Sequence, residues 1–225
     1  MADTATLTAM ILECRRLANQ ETTDQANALC TDAEITSRLN RNLRAVYREL
    51  VSARGAQYYR SSSTLSLVAG TASYALPATM MQLIGLELVL SASQVYPLTE
   101  ITEAERVLYA NITAQDPERY QLRGANVTLL PTPGTARTVN VYFVPSFVAL
   151  ATGSDTFDGI LGYEEMAIWA TVGEMMAKDE ADPSYALARV AEWREHVREL
   201  ADQRDAYRPQ RIQRVRRQRT RWVLP

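Results

Sequence analysis

The sequence contains very few of the residues on which most catalytic and metal sites depend. His196 is the only histidine, and the two cysteines, Cys14 and Cys30, lack the second pair that would complete a zinc site. No G-x-S-x-G precedes His196, and neither G-x-x-x-x-G-K-[ST] nor G-x-G-x-x-G occurs. We therefore expect no catalytic residue, no metal site and no cofactor, and we expect both cysteines to be reduced and packed inside the protein.

Long apolar runs and an amino-terminal basic cluster are missing as well. No uninterrupted apolar run approaches the roughly 20 residues that a membrane span needs. Asp3 stands where a secretory signal would carry lysine or arginine. The sequence is therefore expected to be that of a soluble protein made in the cytoplasm.

Length and composition are those of a globular protein. The chain has 225 residues and a mass of 25.2 kDa, which suits one large domain or two small ones because ordinary domains have about 100–150 residues. Hydrophobic residues make up 47% and charged residues 22% of the chain, so wholesale disorder is excluded.

The charge is distributed unevenly along the chain. The formal net charge is −2, yet residues 208–225 contain seven arginines and no acid. Subtracting that +7 leaves a net charge of −9 on the preceding residues. Lys178 is the single lysine among 24 basic residues. An acidic body with a basic carboxy-terminal tail indicates a partner that the tail reaches.

Apolar periodicity predicts helices at both ends of the chain. In the amino-terminal part, Thr31 and Glu34 form a capping box before an apolar stripe that stops at Gly55. After Gly162 the helical period returns, and Asp182-Pro183 marks the start of a last helix. The core-facing stripe predicted for this last helix is Leu187, Val190, Trp193, Val197 and Leu200.

Between Ser62 and Pro145 the apolar period is two, which is typical of strands. Turn residues 69–71 and 124–126 each predict a hairpin. Thr102 and Glu105 form a second capping box and predict a short helix within this region.

These patterns predict an α+β fold, with a helical bundle built from both chain ends, an inserted small antiparallel β domain and an extended basic carboxy-terminal tail. The predicted units are the amino-terminal helices at 1–61, the β domain at 62–148, the carboxy-terminal helices at 149–207 and the arginine-rich tail at 208–225.

One helix face has two possible interpretations. The predicted second helix carries Arg38, Arg41, Arg44 and Arg48 on its polar face. This row is either a solvated helix face or a contact surface for an acidic neighbour.

Five stretches of the sequence carry a resemblance when they are taken together and in order: RLNRNLRAVYRELVSARGAQYY, TASYALPATMMQLIGLEL, YQLRGANVTLLPTPG, VYFVPSFVAL and DTFDGILGYEE. They resemble the head-to-tail connector proteins of tailed bacteriophages, also called neck adaptors, and are similar to the first tail tubular protein of short-tailed phages. The likeness covers roughly residues 31–206. Each stretch is a pattern of turns and core positions, and none is a catalytic signature.

The resemblance implies a structural virion protein in the neck region. Such proteins form a homo-oligomeric ring, typically of twelve subunits, beneath the portal protein. The ring extends the DNA channel, attaches the downstream tail or nozzle protein and is crossed by the genome during DNA ejection. The implied partners are the portal, the next tail component and further copies of the chain, with genomic DNA passing without specific binding and no membrane involved.

The resemblance also implies a role for the tail, and the crowding of acids suggests a role for a second group of residues. In the family the carboxy-terminal segment reaches the portal, and the corresponding docking residues here are the tail arginines and two apolar anchors: Arg208, Arg211, Arg214, Arg216, Arg217, Arg219, Arg221, Trp222 and Leu224. A ring interface or lumen is the hypothesis for five acids of the stretch 155–182, namely Asp155, Asp158, Glu164, Glu165 and Glu174. A solvated acidic helix face is the alternative interpretation of those acids.

A nucleic-acid-binding module that uses the tail as a basic arm is the alternative function. Trp222 is the only aromatic residue in this tail, whereas single-strand binders interleave several stacking side chains. The two functions differ in salt dependence, because DNA binding through several arginines weakens steeply as salt rises.

Overall fold

The computed structural model describes residues 5–21, 28–109, 112–160 and 162–206. In this part of the chain, helices come from both ends and a mostly antiparallel sheet lies between them, so the predicted α+β class is confirmed. The elements are, in chain order, α1 (Leu7–Leu17), α2 (Asp32–Arg54), β1 (Ser61–Ser66), β2 (Ser73–Ala75), β3 (Met80–Ser91), β4 (Gln94–Glu100), α3 (Glu103–Tyr109), β5 (Thr113–Ala114), β6 (Arg119–Arg123), β7 (Asn126–Leu130), β8 (Thr132–Pro133), β9 (Thr138–Pro145), α4 (Glu164–Lys178) and α5 (Ser184–Ala206).

The start of α2 follows the predicted signal only in part. The Glu34 amide donates to Thr31 Oγ1 at 3.3 Å, as a capping box requires. The Glu34 carboxylate does not return to Thr31, because it accepts hydrogen bonds from Arg38 and Lys178 instead. The second half of this predicted box is therefore wrong, since a tertiary ion pair holds the carboxylate.

The end of α2 and the start of α3 agree with their local signals. Gly55 closes α2 with a φ of 88°, and its N–H donates to the Val51 carbonyl at 2.9 Å. At α3 the predicted capping box is complete. The Thr102 amide donates to the Glu105 carboxylate at 2.9 Å, and the Glu105 amide donates to Thr102 Oγ1 at 3.4 Å.

The main sheet has seven strands in the order β1-β9-β3-β4-β6-β7-β2. All neighbouring strands are antiparallel except β4 and β6, which are parallel. The short strands β5 and β8 form a separate parallel pair. β9, the last strand among the described residues, lies between β1 and β3 and so joins the first strand of the β region to the third.

Of the two predicted hairpins, one is confirmed and one is wrong. β6 and β7 pair antiparallel up to Arg123 and Asn126, around Gly124 with a φ of 59°. β1 and β2 do not pair, because β1 pairs over its whole length with β9 while β2 pairs with β7. The connection between them is held instead by Tyr74, whose hydroxyl accepts from the Val68 amide at 2.9 Å.

Two hydrophobic cores are present. The first is shared by α1, α2, α4 and α5, and the second is enclosed by the sheet. β9 serves both cores, because Val141 and Phe143 point into the sheet core while Val144 belongs to the helical core. Tyr47 of α2 adds a polar link, since its hydroxyl donates to the Pro145 carbonyl at 3.0 Å.

The apolar stripe predicted for α5 is shifted at its first position. Leu187 is 58% exposed, whereas Ala186 is fully buried and Val190 and Val197 are buried as predicted. Gly173 of α4 lies opposite Ala186 of α5. Because the two helices are close together at this point, the small side chain of Ala186 is buried there and the larger Leu187 is not. Both cysteines are free and buried.

Candidate assembly surfaces

The first two arginines of the α2 row contact α4 of the same chain. Arg38 donates to the Glu174 carbonyl at 2.8 Å and to the Glu34 carboxylate at 2.7 Å, while Arg41 pairs with the Glu174 carboxylate. Lys178 reaches the same Glu34 carboxylate at 2.7 Å. The acidic neighbour of Arg41 is therefore α4, whereas Arg38 pairs with an acid of its own helix, and together these contacts fix α2 against α4.

The five acids proposed for a ring interface or lumen have different local surroundings. Glu174 pairs with α2, as described above. Asp155 closes a turn by accepting the amides of Ala151 at 2.7 Å and Thr152 at 2.9 Å, as well as the Thr152 hydroxyl. The hydrogen bond from this hydroxyl, followed by those from the two amides, lowers the pKa of Asp155. Asp158 is exposed. The structure does not gather these three side chains into one cluster with a common role.

Glu164 and Glu165 lie in the first turn of α4, where the helix dipole favours negative charge. Glu164 is buried, with 5% of its surface exposed. Burial raises the pKa of Glu165, and the nearby carboxylates of Glu13 and Glu164 raise it further, while Arg189 acts in the opposite direction. This pair therefore forms a partly desolvated acidic site between α1 and α4.

An aromatic cleft lies where α2 meets the sheet. It has a volume of about 450 Å³ and is lined by Tyr47, Tyr58, Tyr59, Arg60 and Asp158, among others. The rings of Tyr47 and Tyr59 meet edge to face at 5.3 Å between centroids. Burial raises the pKa of Tyr59, so its phenol remains neutral. The cleft therefore presents aromatic rings, with the guanidinium of Arg60 and the carboxylate of Asp158 at its border.

The short helix α3 presents apolar side chains to solvent. Polar contacts hold it to β6, since Glu103 pairs with Arg123 at 3.1 Å and accepts from Gln121. Hydrogen bonds from Gln121, Arg106 and Arg123 lower the pKa of Glu103 to about 2. Val107 and Leu108 are 68% and 72% exposed. The sequence predicts α3 from its capping box. For the exposed apolar face the sequence offers only the adjacent pair Val107 and Leu108, which does not recur at helical spacing.

The predicted portal-docking residues lie outside the described residues. They are Arg208, Arg211, Arg214, Arg216, Arg217, Arg219, Arg221, Trp222 and Leu224. Their role therefore stays a prediction.

The described residues provide neither a metal site nor a membrane-spanning helix. No group of three or more histidine, cysteine, aspartate or glutamate side chains in this part of the chain is placed to hold a metal ion. None of its helices has the run of apolar residues that a membrane crossing requires.

Comparison with known proteins yields one family. The family model described as SU10 adaptor protein matches residues 5–221 of the chain. No curated protein matches the chain at a significant level.

Proposed function

Since this chain belongs to the SU10 adaptor protein family, which consists of bacteriophage structural adaptors, we propose that it forms a ring beneath the portal protein and attaches the tail. Membership makes the chain a virion protein that contacts other virion proteins rather than an enzyme. The proposal adds a homo-oligomeric ring, of twelve subunits by resemblance to the head-to-tail connectors, that extends the DNA channel.

The extent of the family match carries the proposal. The match runs from residue 5 to residue 221 and so includes helices from both chain ends, the inserted sheet and most of the arginine-rich tail. A match of this extent supports one function for the whole chain, with the tail as a part of the adaptor. The corresponding division is helices at 1–61 and 149–207, a β domain at 62–148 and the tail at 208–225.

In this proposal the helices form a bundle that builds the body of the ring. α1, α2, α4 and α5 share one core, and the ion pairs of Glu34 and Glu174 hold α2 against α4. A body fixed in this way keeps its shape when neighbouring subunits press on it. The sheet then presents loops and α3 to the next tail component.

The tail is the proposed portal contact. Its seven arginines can form bidentate pairs with carboxylates, and Trp222 and Leu224 can enter apolar pockets. A single tail of this composition binds weakly, because it loses conformational entropy when it docks. Several tails on one ring bind together at high effective concentration, so their combined affinity greatly exceeds that of one.

The charge of the body suits a channel for DNA. Without residues 208–225 the net charge is −9, and a lumen with this sign repels phosphates. A basic lumen would instead retain DNA through counterion release. Of the five candidate lumen or interface acids, Glu174 pairs with α2, and the four that do not are Asp155, Asp158, Glu164 and Glu165.

The test compares the full chain with a variant that ends at Tyr207. Each is mixed with purified portal protein, and complexes are measured by sedimentation and imaged by electron microscopy. A double variant, Trp222→Ala with Leu224→Ala, keeps all seven charges and so separates apolar anchoring from charge. We expect rings on the portal with the full chain, a weaker complex with the double variant and none with the truncated chain.

A titration with salt distinguishes the alternative function. Binding of nucleic acid through seven arginines weakens by roughly 10³-fold or more between about 50 and 200 mM salt, whereas a portal contact with apolar anchors weakens less. Absence of any portal complex, together with steeply salt-dependent DNA binding by the full chain, would replace the connector function by a nucleic-acid-binding one.

A further inference from the structure

The second half of the α2 arginine row differs from the first half. Arg44 and Arg48 are exposed, and neither forms an ion pair with any residue that the structure describes. Arg41 and Arg38, about one and two turns before Arg44, are neutralised by Glu174 and Glu34. Because residues four apart lie on the same helix face, Arg44 and Arg48 present two neighbouring positive charges to solvent.

Clefts with partly apolar walls flank these two charges. The first cleft has a volume of about 340 Å³ and is lined by Arg44, Arg48, Met81 and Phe147, among others. A second cleft of about 320 Å³ lies toward the end of α2 and is also lined by Arg48 and Met81. The Arg44 guanidinium lies 6.0 Å from the centroid of the Phe147 ring. Tyr47 separates the first cleft from the aromatic cleft described above. Arginine, tyrosine, phenylalanine and methionine are the residues enriched in protein–protein interfaces.

The chemistry of this surface favours a protein partner with carboxylates over a nucleic acid. Phosphate backbones need positive charge but no apolar wall, and Met81 and Phe147 are half-buried apolar side chains beside the arginines. Arginine forms bidentate pairs with carboxylates that gain strength when a neighbouring apolar contact excludes water. Without residues 208–225 the chain carries a net charge of −9 and therefore an excess of carboxylates.

That same excess of acids makes a second copy of the chain the complementary partner. Several exposed carboxylates form no ion pair with any described residue: Asp158, Asp179, Glu180, Glu199 and Asp202. In a ring, each subunit offers one face to a different face of its neighbour, so that a basic patch and an acidic patch on one chain meet repeatedly.

We propose that Arg44, Arg48, Met81 and Phe147 form the surface on which each subunit receives a carboxylate-bearing face of the next copy. The inference rests on the proposed ring and assigns one of its two contact faces. It also gives a role to Arg44 and Arg48, which, unlike Arg38 and Arg41, have no carboxylate partner among the described residues.

The near absence of lysine makes a direct test possible. A carbodiimide joins an amine to a carboxylate only when the two are in contact, and Lys178 is the only lysine of the chain. In the Arg48→Lys variant the introduced amine reports which carboxylate lies against this surface. Rings are assembled on the portal from equal amounts of chains with and without nitrogen-15, so that cross-links between copies are recognised by their mixed mass.

Two cross-links within one chain serve as controls. Lys178 lies 2.7 Å from the Glu34 carboxylate, so a link between them must appear in every sample. The matched variant Arg106→Lys places an amine beside Glu103, which Arg106 contacts at 2.7 Å, and this amine should link within its own chain. The Arg48→Lys variant should give a mixed-mass link to a carboxylate of another copy.

Charge reversal measures the contribution of the surface to assembly. The variant Arg44→Glu with Arg48→Glu should raise the subunit concentration needed for ring assembly by about tenfold or more, because like charges then face each other. Reversal of Arg198, which is exposed and pairs with Glu195 of its own helix, should leave assembly unchanged. Thermal unfolding of both variants confirms that each is folded.

The outcomes separate this proposal from the function on which it rests. Wild-type rings that tolerate the double reversal and give no mixed-mass link at position 48 overturn the assigned face and leave the ring itself standing. A link from position 48 only to the portal or to the next tail protein replaces the second copy by that partner. A double reversal that changes only DNA binding makes nucleic acid the occupant. Failure of the wild-type chain to form rings overturns both proposals.

Discussion

Asn40 provides a sharp test of how the helices hold the segment between β9 and α4. Its side-chain amide donates to the Leu150 carbonyl at 2.9 Å, and its side-chain oxygen accepts the Leu150 amide at 2.8 Å. The two residues are 110 positions apart in the sequence. Leu150 is only 5% exposed, so water does not readily replace either hydrogen bond. Asn40→Ala removes both at once.

The expected loss of stability follows from these contacts. Each neutral hydrogen bond contributes about 1 kcal/mol, and a buried group left without a partner costs about 1–3 kcal/mol. Alanine recovers roughly 0.6 kcal/mol through its higher helix propensity. We therefore expect Asn40→Ala to lower the free energy of unfolding by about 2 kcal/mol. Asn40→Asp should be at least as damaging, because it keeps the acceptor but directs a carboxylate oxygen at the Leu150 carbonyl.

Urea unfolding measures this change, and hydrogen exchange of the Leu150 amide shows whether the loss is local. Ser37→Ala is the matched control, since Ser37 is exposed on the same helix and the change should be neutral or slightly stabilising. A loss below about 0.5 kcal/mol for Asn40→Ala, which is the scatter of ordinary surface substitutions, would refute the reasoning. Unchanged protection of the Leu150 amide would refute it as well.

Three further predictions concern buried side chains. Met175→Ala should lower the free energy of unfolding in urea by about 2–5 kcal/mol, because Met175 is fully buried in the core; a loss under about 1 kcal/mol would contradict this packing. Burial raises the folded-state pKa of Glu165 above its ordinary 4.5, so stability falls as pH rises through the raised pKa. Glu165→Gln should therefore raise the Tm at pH 7 relative to the wild type, and this advantage should vanish as the pH approaches 4.5; a pH-independent difference would argue against it. Burial raises the pKa of Cys14 to about 12, and Cys30 is equally buried. A disulfide reagent should therefore label neither thiol before denaturant is added. Rapid labelling of the native chain would disprove their burial.

Sequence alone was sufficient where a structural feature depends on neighbouring residues. The end of α2 at Gly55, the hairpin at Gly124 and the capping box of Thr102 and Glu105 all follow from local turn and cap chemistry. These signals involve at most a few adjacent residues, so the chain carries them before it folds. The α+β class follows in the same way, from a change of apolar period between segments.

The pairing of strands was not available from the sequence. β1 is rich in serine, with Leu65 as its one apolar residue, and β2 has only three residues, so neither sequence specifies an antiparallel partner. β1 therefore pairs with β9, which is distant in the sequence, rather than with the strand that follows the next turn. Side-chain partners were hidden for the same reason, as with Glu34, whose carboxylate binds Lys178 of α4 instead of its own helix cap.

The candidate surfaces also combine features that the sequence alone determines with contacts that only the folded structure shows. The arginine row of α2 and the charge of the tail are properties of the sequence, and the tail's role stays a prediction. Only the tertiary structure decided that Arg41 is neutralised by Glu174 of α4 and that Arg38, paired with Glu34 of its own helix, also contacts α4, while Arg44 and Arg48 stay free of ion pairs among the described residues. Helical spacing places the Glu34 carboxylate beside Arg38, but the carboxylate that opposes Arg41 belongs to Glu174, 133 positions away in the sequence, and folding alone brings these two together.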